Sequence, residues 1–228
     1  MRLTLLIAAT AIAGAAHATP VTQDFPASGF DKVIASGSED ITIVTGKPAS
    51  VTATGAADRI ARLRVAVDGT TLKIDHKSSR NRGRPEGDRV RIVITMPALL
   101  AVHGSGSGDI VADFGSGPAF AASSSGSGDL RINRIDSASV TLRTSGSGDV
   151  TAAGQCTDAK VSISGSGNMA LAGLACRDID VAISGSGNVA ARATGAANMQ
   201  ISGSGDVAIA GGARCTTRAS GSGDVTCS

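Results

Sequence analysis

Carboxylate side chains recur at an almost constant interval through the C-terminal half of the sequence. They close the pentapeptide Ser-Gly-Ser-Gly-Asp/Asn, whose last residue falls at Asp109, Asp129, Asp149, Asn168, Asn188, Asp206 and Asp224. A column of carboxylates in Gly-rich turns could bind calcium, as in nonapeptide repeat proteins, which makes Asp109, Asp129 and Asp149 calcium candidates. The interval of 18–20 residues is about twice that of a calcium repeat, and Asn168 and Asn188 interrupt the carboxylates. We therefore favour a column in which each Asp or Asn accepts hydrogen bonds from Gly and Ser amides of its own or a neighbouring repeat.

The other residue types give little support for catalysis. The motif serines repeat identically, and no His or Asp stands at a matching spacing to complete a nucleophilic triad. Outside the first 18 residues the histidines are His76 and His103, and the chain has no Trp, no Tyr and four Phe, so aromatic platforms for sugars are scarce. We predict a protein that is not an enzyme and needs no cofactor. A glycan-acting β-helix enzyme is the weakest alternative, behind a calcium-binding repeat protein.

Apolar residues alternate with polar ones on both sides of each motif. Val161 and Ile163 precede one motif, and Met169 and Leu171 follow it. Alternation with a period of two predicts strands, and self-similarity at a fixed interval predicts a solenoid. About 20 residues at roughly 3.3 Å each suit one closed coil. We predict an all-β fold, a right-handed parallel β-helix with 18–20 residues per coil and six or seven coils over residues 102–226.

The alternation also predicts which motif residues face outwards. If Ile163 points into the solenoid, the serines and the Asn of its motif point out, and Gly165 and Gly167 point in. Two inward glycines in every coil predict a wall that is sharply bent or close to the opposite wall. The residues predicted to stack as outer polar ladders in two neighbouring coils are Ser164, Ser166, Asn168, Ser184, Ser186 and Asn188.

The cysteines are placed to form disulfides between and within coils. Cys156 and Cys176 each lie eight residues before the first Ser of a motif, so they occupy the same column of adjacent coils. The expected Cα separation of about 5 Å lies within the disulfide range. Cys215 and Cys227 fall on predicted inward positions of the last coil, where a second bridge would pin the end. The rival hypothesis, a four-cysteine metal site, lacks the usual C-x₂₋₄-C spacing.

Residues 1–18 have the pattern of a secretory signal. Arg2 supplies the basic start, Leu3 to Ala16 are mostly apolar, and Ala16-His17-Ala18 is a cleavage sequence. Removal of this segment lowers the formal charge from +2 to +1, since only Arg2 is charged in it. A nearly neutral chain with no further long apolar run argues against a nucleic-acid partner and against a transmembrane segment in the mature chain. We expect an exported protein that is periplasmic, on the outer surface or secreted.

The remainder divides at about residue 101. Residues 19–101 predict a less regular, β-rich N-terminal cap, and residues 102–228 the repeat β-helix, the two being continuous as one domain. Within the cap, the loop Lys77–Arg91 carries six basic residues against two acidic ones. Two interpretations of this basic loop stay open, a contact with anionic lipid or polysaccharide and a solvated loop, of which we favour the second.

Several segments together resemble a known bacterial family. Phe30-Asp31-Lys32-Val33, the hairpin Asp68–Leu72, the strand end Ile94–Pro97 and the serial Ser-Gly-Ser-Gly-Asp coils are similar to the auto-transporter adhesin head GIN domain family, over residues 25–226. The resemblance implies a parallel β-helix at the cell envelope. It also implies adhesin-like binding to cell-surface or envelope macromolecules, and it transfers no catalytic residue.

Overall fold

The computed structural model describes residues 19–77 and 89–228. The predicted signal segment lies outside the described residues, as does most of the basic loop. The described residues at the ends of that loop contact the cap. Lys77 Nζ donates to the Ala61 carbonyl at 3.0 Å, and Arg89 pairs with Asp40 at 3.1 Å. The chain is 70% strand and 2% helix, and its one helical turn among these residues is α1 (Ala57–Ile60).

The described residues form eighteen strands in chain order. They are β1 Val21–Phe25, β2 Lys32–Gly37, β3 Asp40–Thr45, β4 Ser50–Gly55, β5 Leu63–Asp68, β6 Thr71–His76, β7 Arg91–Met96, β8 Ala101–Gly106, β9 Ile110–Ala112, β10 Gly115–Gly126, β11 Leu130–Gly146, β12 Val150–Gly165, β13 Met169–Gly185, β14 Val189–Ala193, β15 Ala196–Gly203, β16 Val207–Ala210, β17 Arg214–Gly221 and β18 Val225–Cys227.

Parallel pairing between equivalent repeats builds two long faces. The strands that end in a motif stack as β2, β8, β10, β11, β12, β13, β15 and β17, and we call this face the leading sheet. The strands that follow a motif stack as β3, β9, the starts of β11 to β13, β14, β16 and β18, and we call this face the trailing sheet. Over the described residues the result is a β-solenoid of about six turns, which confirms the predicted fold class.

Differences in coil length are absorbed at one corner. The register of neighbouring coils shifts just after the trailing sheet, between Ile132 and Ile135 and again between Leu171 and Ala175. The motif itself pairs without slippage, so Ser145 lies opposite Ser164 and Gly146 opposite Gly165. The surface formed by the motifs therefore stays regular although the coils differ by up to two residues.

The core is a narrow column of aliphatic side chains between the two sheets. Alternate residues such as Val161, Ile163 and Met169 are buried, and Phe120 is the largest fully buried side chain among the described residues. Burial of aliphatic side chains at roughly 25 cal/mol per Å² is the main stabilising contribution to such a column. Because successive coils bury the same positions, the alternation of apolar and polar residues in the sequence identifies the buried side chains.

The N-terminal end is built by strands that reverse direction. The degraded motif Ser36–Asp40 forms the first coil, since β2 and β3 pair with β8 and β9. Below it β6 and β7 still run parallel, whereas β5, β4 and β1 are antiparallel to their neighbours. This change ends the parallel stacking, as the atypical end of a repeat array must.

The motif glycines are required by a contact between neighbouring coils that was not predicted. A Cβ built on Gly165 or Gly167 would collide with the carbonyl oxygen of Gly146 or Gly148 in the preceding coil, and Gly165 has φ +131°. Of the two predicted causes, the approach of the opposite wall is not found, whereas the sharp bend is present, since the chain bends at Ser166 and Gly165 has a positive φ. Contact along the solenoid axis, between neighbouring coils, excludes a side chain here.

Candidate binding surface

A long depression runs along the outer face of the leading sheet. Its main part, about 640 Å³, crosses five coils between Arg143 and Arg218. Adjoining depressions of about 430 and 310 Å³ share residues with it, and we call the continuous feature the leading-sheet trough. Two outward columns line the main part: Ser145, Ser164, Ser184, Ser202 and Ser220, and beside them Arg143, Ser162, Ala182, Gln200 and Arg218. Short side chains thus form a floor between two long cationic ones.

The charges in the trough are mostly positive and unpaired. Arg143, Lys160 and Arg218 are exposed, and none of them makes an ion pair or hydrogen bond with another described residue. Asp180 is the carboxylate on this surface, and it accepts a hydrogen bond from Asn198 Nδ2 at 2.9 Å. Unpaired cations beside a single carboxylate favour an anionic ligand.

The N-terminal part of the trough is more apolar. Ile34, Ala101 and Ala121 lie there beside His103, whose Nδ1 is 2.7 Å from the Ser123 hydroxyl. Lys32 also lines this part, but it faces Asp31 at 4.0 Å. The unpaired positive charge is therefore concentrated in the C-terminal coils.

A hydrogen-bonded ladder of Asp and Asn side chains runs along the motif corner. Asp109 Oδ1 accepts the backbone amide of Asp129 at 2.9 Å, and the same bond recurs at each following coil as far as Asp224, with N···Oδ1 distances of 2.7–3.0 Å. The residue after each Asp or Asn adds a second hydrogen bond between the same two coils. The amide of Ile110, for example, donates to the Asp129 carbonyl at 2.8 Å. The donor is thus the next Asp or Asn amide, not the Gly or Ser amide that we predicted.

The calcium candidates take part in this ladder. Asp109, Asp129 and Asp149 each present Oδ1 to the amide of the next coil. In the part of the chain that the structure describes, no group of three or more His, Cys, Asp or Glu side chains is arranged to hold a metal ion. Each of these carboxylates already has a hydrogen-bonding role within the protein.

The predicted outer ladder residues fall into three groups. Ser164 and Ser184 are exposed in the leading-sheet trough. Asn168 continues the hydrogen-bonded ladder into Asn188, at 3.0 Å. The serines between them, Ser166 and Ser186, have backbone amides that donate to Gly carbonyls of the preceding coil at 2.9 Å.

The structure contains both predicted disulfides. Cys156 pairs with Cys176 across adjacent coils, with Cα atoms 4.5 Å apart. Cys215 pairs with Cys227 in the last coil, with Cα atoms 6.6 Å apart. The first bridge links β12 to β13 where Gly154–Cys156 pairs with Leu174–Cys176, between the trailing and leading parts of the coils. The second connects the leading sheet to the trailing sheet at the end of the solenoid.

One polar pair with a buried carboxylate was not predicted. Glu39 replaces the second motif Gly in the first coil and is 7% exposed. Its Oε1 lies 2.9 Å from His76 Nε2, and its Oε2 accepts the Ser38 amide at 3.1 Å. The replacement of the second motif Gly by Glu39 was visible in the sequence as Ser-Gly-Ser-Glu-Asp, but nothing in the sequence indicates that His76 lies beside Glu39.

Shifted pKa values occur at ion pairs outside the trough. A hydrogen bond from Arg64 lowers the pKa of Asp75, and one from Lys73 lowers the pKa of Asp68. The pKa of Asp178 is lowered first by the backbone amide of Ala196 and then by Arg177. These pairs lie on exposed strands and at a coil corner, where a structural role accounts for them.

The comparison with known families identifies the chain. Residues 29–213 match the family described as "Putative auto-transporter adhesin, head GIN domain". The chain belongs to this family. The predicted resemblance is thereby confirmed, while a comparison with curated proteins found no match. In the described residues, no helix is both long and apolar enough to cross a membrane.

Solved structures share the fold along nearly the whole chain. A "putative adhesin" from Bacteroides fragilis NCTC 9343 is 22% identical with a TM-score of 0.85, and the match covers 92% of this chain and 97% of that one. A "putative lipid binding protein" from Parabacteroides distasonis ATCC 8503 is 21% identical with a TM-score of 0.74, covering 92% and 97%. A "putative adhesin" from Parabacteroides merdae ATCC 43184 is 17% identical with a TM-score of 0.73, covering 92% and 96%. At these identities the likeness shows the fold alone.

Proposed function

We propose that this head GIN protein is a non-enzymatic, exported, adhesin-like protein that binds an envelope or cell-surface macromolecule along the leading-sheet trough. The observation that carries the proposal is the trough itself, a continuous outer surface with exposed, unpaired cations at Arg143, Lys160 and Arg218. Membership of an adhesin family supports a binding role. Export is supported by the secretory pattern of residues 1–18.

The regularity of the surface supports binding rather than catalysis. The first motif Ser recurs in every coil along the main trough, as Ser145, Ser164, Ser184, Ser202 and Ser220. A catalytic site needs a few groups with distinct pKa values and fixed mutual geometry, whereas a repeated surface offers the same contact many times. A chain-like or multivalent partner gains most from such repetition.

A substitution that fills the trough tests the proposal. Ala182 is exposed on the trough floor, and Ala190 is exposed on the outer face of the trailing sheet, so Ala182→Trp and Ala190→Trp make the same change on two faces. We expect the purified mature protein to bind bacterial envelope fractions, and Ala182→Trp to weaken this binding while Ala190→Trp leaves it unchanged. Equal binding by both variants, or no binding by the unmodified protein, would contradict the proposal.

A further inference from the structure

The two arginines of the main trough stand on one line parallel to the solenoid axis. The pairing of successive strands places Arg143, Ser162, Ala182, Gln200 and Arg218 in one column. Four strand spacings of about 4.8 Å separate the two ends, so the Cα atoms of Arg143 and Arg218 lie about 19 Å apart. Lys160 lies in the next column, on the coil of Ser162. The cations therefore mark a path several coils long.

Polar side chains fill the path between the cations. Each coil presents the first motif Ser, and the neighbouring column adds Ser162 and Gln200. The spacing between coils, about 4.8 Å, is similar to the rise of one sugar ring in an extended polysaccharide. A glycan lying along the trough would thus meet one row of hydroxyl groups per ring, with an arginine at each end to bind a carboxylate.

Other polyanions fit this surface less well. Single-stranded nucleic acids rely on aromatic side chains for base stacking, and among the described residues the trough is lined by no Phe, Tyr or Trp and by one imidazole, that of His103. An extended peptide binds by adding to a sheet edge, whereas the trough lies on a sheet face. A flat bilayer surface would touch the rims of the trough but leave its floor of short side chains without contact.

We propose that the leading-sheet trough binds an acidic polysaccharide of the uronic-acid class, with the glycan chain parallel to the solenoid axis. Arg143 and Arg218 bind carboxylates at the two ends, and Lys160 adds a third cationic contact. The serine column and Gln200 hydrogen-bond to sugar hydroxyls between them. This inference rests on the proposed function and adds to it the chemical class of the partner.

Binding of polygalacturonate to the full mature chain tests the inference. The double variant Arg143→Gln/Arg218→Gln removes both end contacts, and the matched control Arg131→Gln/Arg192→Gln removes the same charge from exposed positions on the trailing-sheet side. Calorimetric titration at physiological salt is expected to show at least tenfold weaker binding for the trough variant, since it loses two charge-assisted hydrogen bonds to carboxylates. The control variant is expected to bind like the unmodified protein.

The same titration with two further polymers separates the contribution of the carboxylates from that of the sugar hydroxyls. Methyl-esterified polygalacturonate has the same backbone without the charge, and we expect it to bind much more weakly. Polyglutamate carries carboxylates without sugar hydroxyls, and we expect it too to bind weakly. Equal loss in both double variants, equal binding of the esterified polymer, or tight binding of polyglutamate would each overturn the inference. Envelope binding that survives in Arg143→Gln/Arg218→Gln without polygalacturonate binding would overturn the inference and leave the proposed function intact.

Discussion

The carbonyl oxygen of the first motif Gly accepts an amide of the next coil, and at Gly37, Gly106, Gly126 and Gly146 it accepts two. The Gly146 carbonyl accepts the amides of Ser166 and Gly167 at 2.9 and 3.1 Å. Two hydrogen bonds to one carbonyl bring the neighbouring coils so close that even a methyl group on Gly165 would meet that oxygen. The glycine is therefore fixed by backbone contact between coils, in addition to its φ of +131°.

Gly165→Ala is expected to be strongly destabilising. The collision and the backbone strain together predict a cost of about 2–4 kcal/mol in the free energy of unfolding. Gly46→Ala is the control, because Gly46 has φ +75° but no other atom lies within 4 Å of the point where its Cβ would stand. That variant is expected to lose only about 1 kcal/mol from strain. Urea denaturation compares them, and equal losses would show that contact between coils is unimportant.

The Glu39 side chain supplies a hydrogen-bond acceptor that the preceding coil supplies elsewhere in the solenoid. In later coils the amide after the first motif Gly donates to a carbonyl of the preceding coil, as Ser107 does to Gly37 at 3.0 Å. The first coil has no such motif below it. The amide of Ser38 instead donates to Glu39 Oε2, and His76 holds the other carboxylate oxygen. A Glu is tolerated at this motif position because no coil backbone fills the space that a later Gly must leave open.

Restoring the repeat consensus with Glu39→Gly is expected to destabilise the protein. The change leaves the Ser38 amide and the His76 ring without their acceptor, at a cost of about 1–3 kcal/mol. Glu39→Gln keeps an amide oxygen in the same place and is expected to lose less. Denaturant melts of the two variants measure the difference. A stabilising Glu39→Gly would mean that the consensus residue suits the first coil better than the carboxylate does.

At the scale of elements, Asp178 joins two coils of unequal length. The connection Thr194–Gly195 shortens the coil between β14 and β15, and its amides donate to the carbonyls of Cys176 and Arg177 in the preceding coil. Asp178 Oδ1 accepts the Ala196 amide at 2.8 Å, and Arg177 Nε donates to Oδ2 at 2.8 Å. One side chain thus fixes the start of β15 where the coil has lost two residues.

Asp178→Ala is expected to lower the melting temperature by several degrees at neutral pH. Asp158→Ala is the matched control, since Asp158 occupies the same register position one coil earlier but lies 3.7 Å from Arg177 and accepts no backbone amide from the described residues. The control is expected to change the melting temperature little, as an exposed ion pair contributes little. Similar losses in both variants would show that the hydrogen bond from the Ala196 amide to Asp178 contributes no extra stability.

The contribution of Asp178 also depends on pH in a defined direction. The Ala196 amide and Arg177 lower its pKa in the folded protein below the ordinary value of 3.8. A lowered folded pKa stabilises the protein above the ordinary pKa, and the stabilisation is lost as the pH falls through the folded value. The difference in melting temperature between the unmodified protein and Asp178→Ala is therefore expected to be constant near neutral pH and to shrink below about pH 4. A difference that grows in acid would contradict this assignment.

For the whole molecule, the sequence predicts the contacts that repeat and misses those that do not. The alternation around Ile163 predicts the core, and the common column of Cys156 and Cys176 predicts their disulfide. The pattern shows which side a residue faces and where the chain bends, but not how closely one coil approaches the next, so the contact between coils at the glycine columns was missed. The Glu39–His76 pair joins residues from separate strands of the irregular end, where no period relates them. The leading-sheet trough depends on differences in side-chain length between coils, which a consensus motif hides.

The ladder of hydrogen bonds from Asp109 to Asp224 runs along the length of the solenoid. The residue types in it distinguish a hydrogen-bonding role from calcium binding. Asn168 and Asn188 accept the next amide at 3.0 and 2.8 Å, as the carboxylates do. An amide oxygen therefore suffices for the ladder. Neighbouring carboxylates at Asp109, Asp129 and Asp149 repel one another at a strand spacing of about 4.8 Å, so a neutral residue at the middle position relieves repulsion without removing the acceptor.

Asp129→Asn is therefore expected to leave the free energy of unfolding unchanged or slightly raised, and Asp129→Ala to lower it by about 0.5–1 kcal/mol. Millimolar calcium or chelator is expected to shift the melting temperature of neither variant nor of the unmodified protein. A calcium site would behave in the opposite way, because an ion at about 100 times its Kd adds about 2.7 kcal/mol of stability, and Asp129→Asn would abolish that gain. Melting curves with calcium and with chelator distinguish the two outcomes, and a large calcium-dependent rise lost in Asp129→Asn would establish Asp109, Asp129 and Asp149 as ligands.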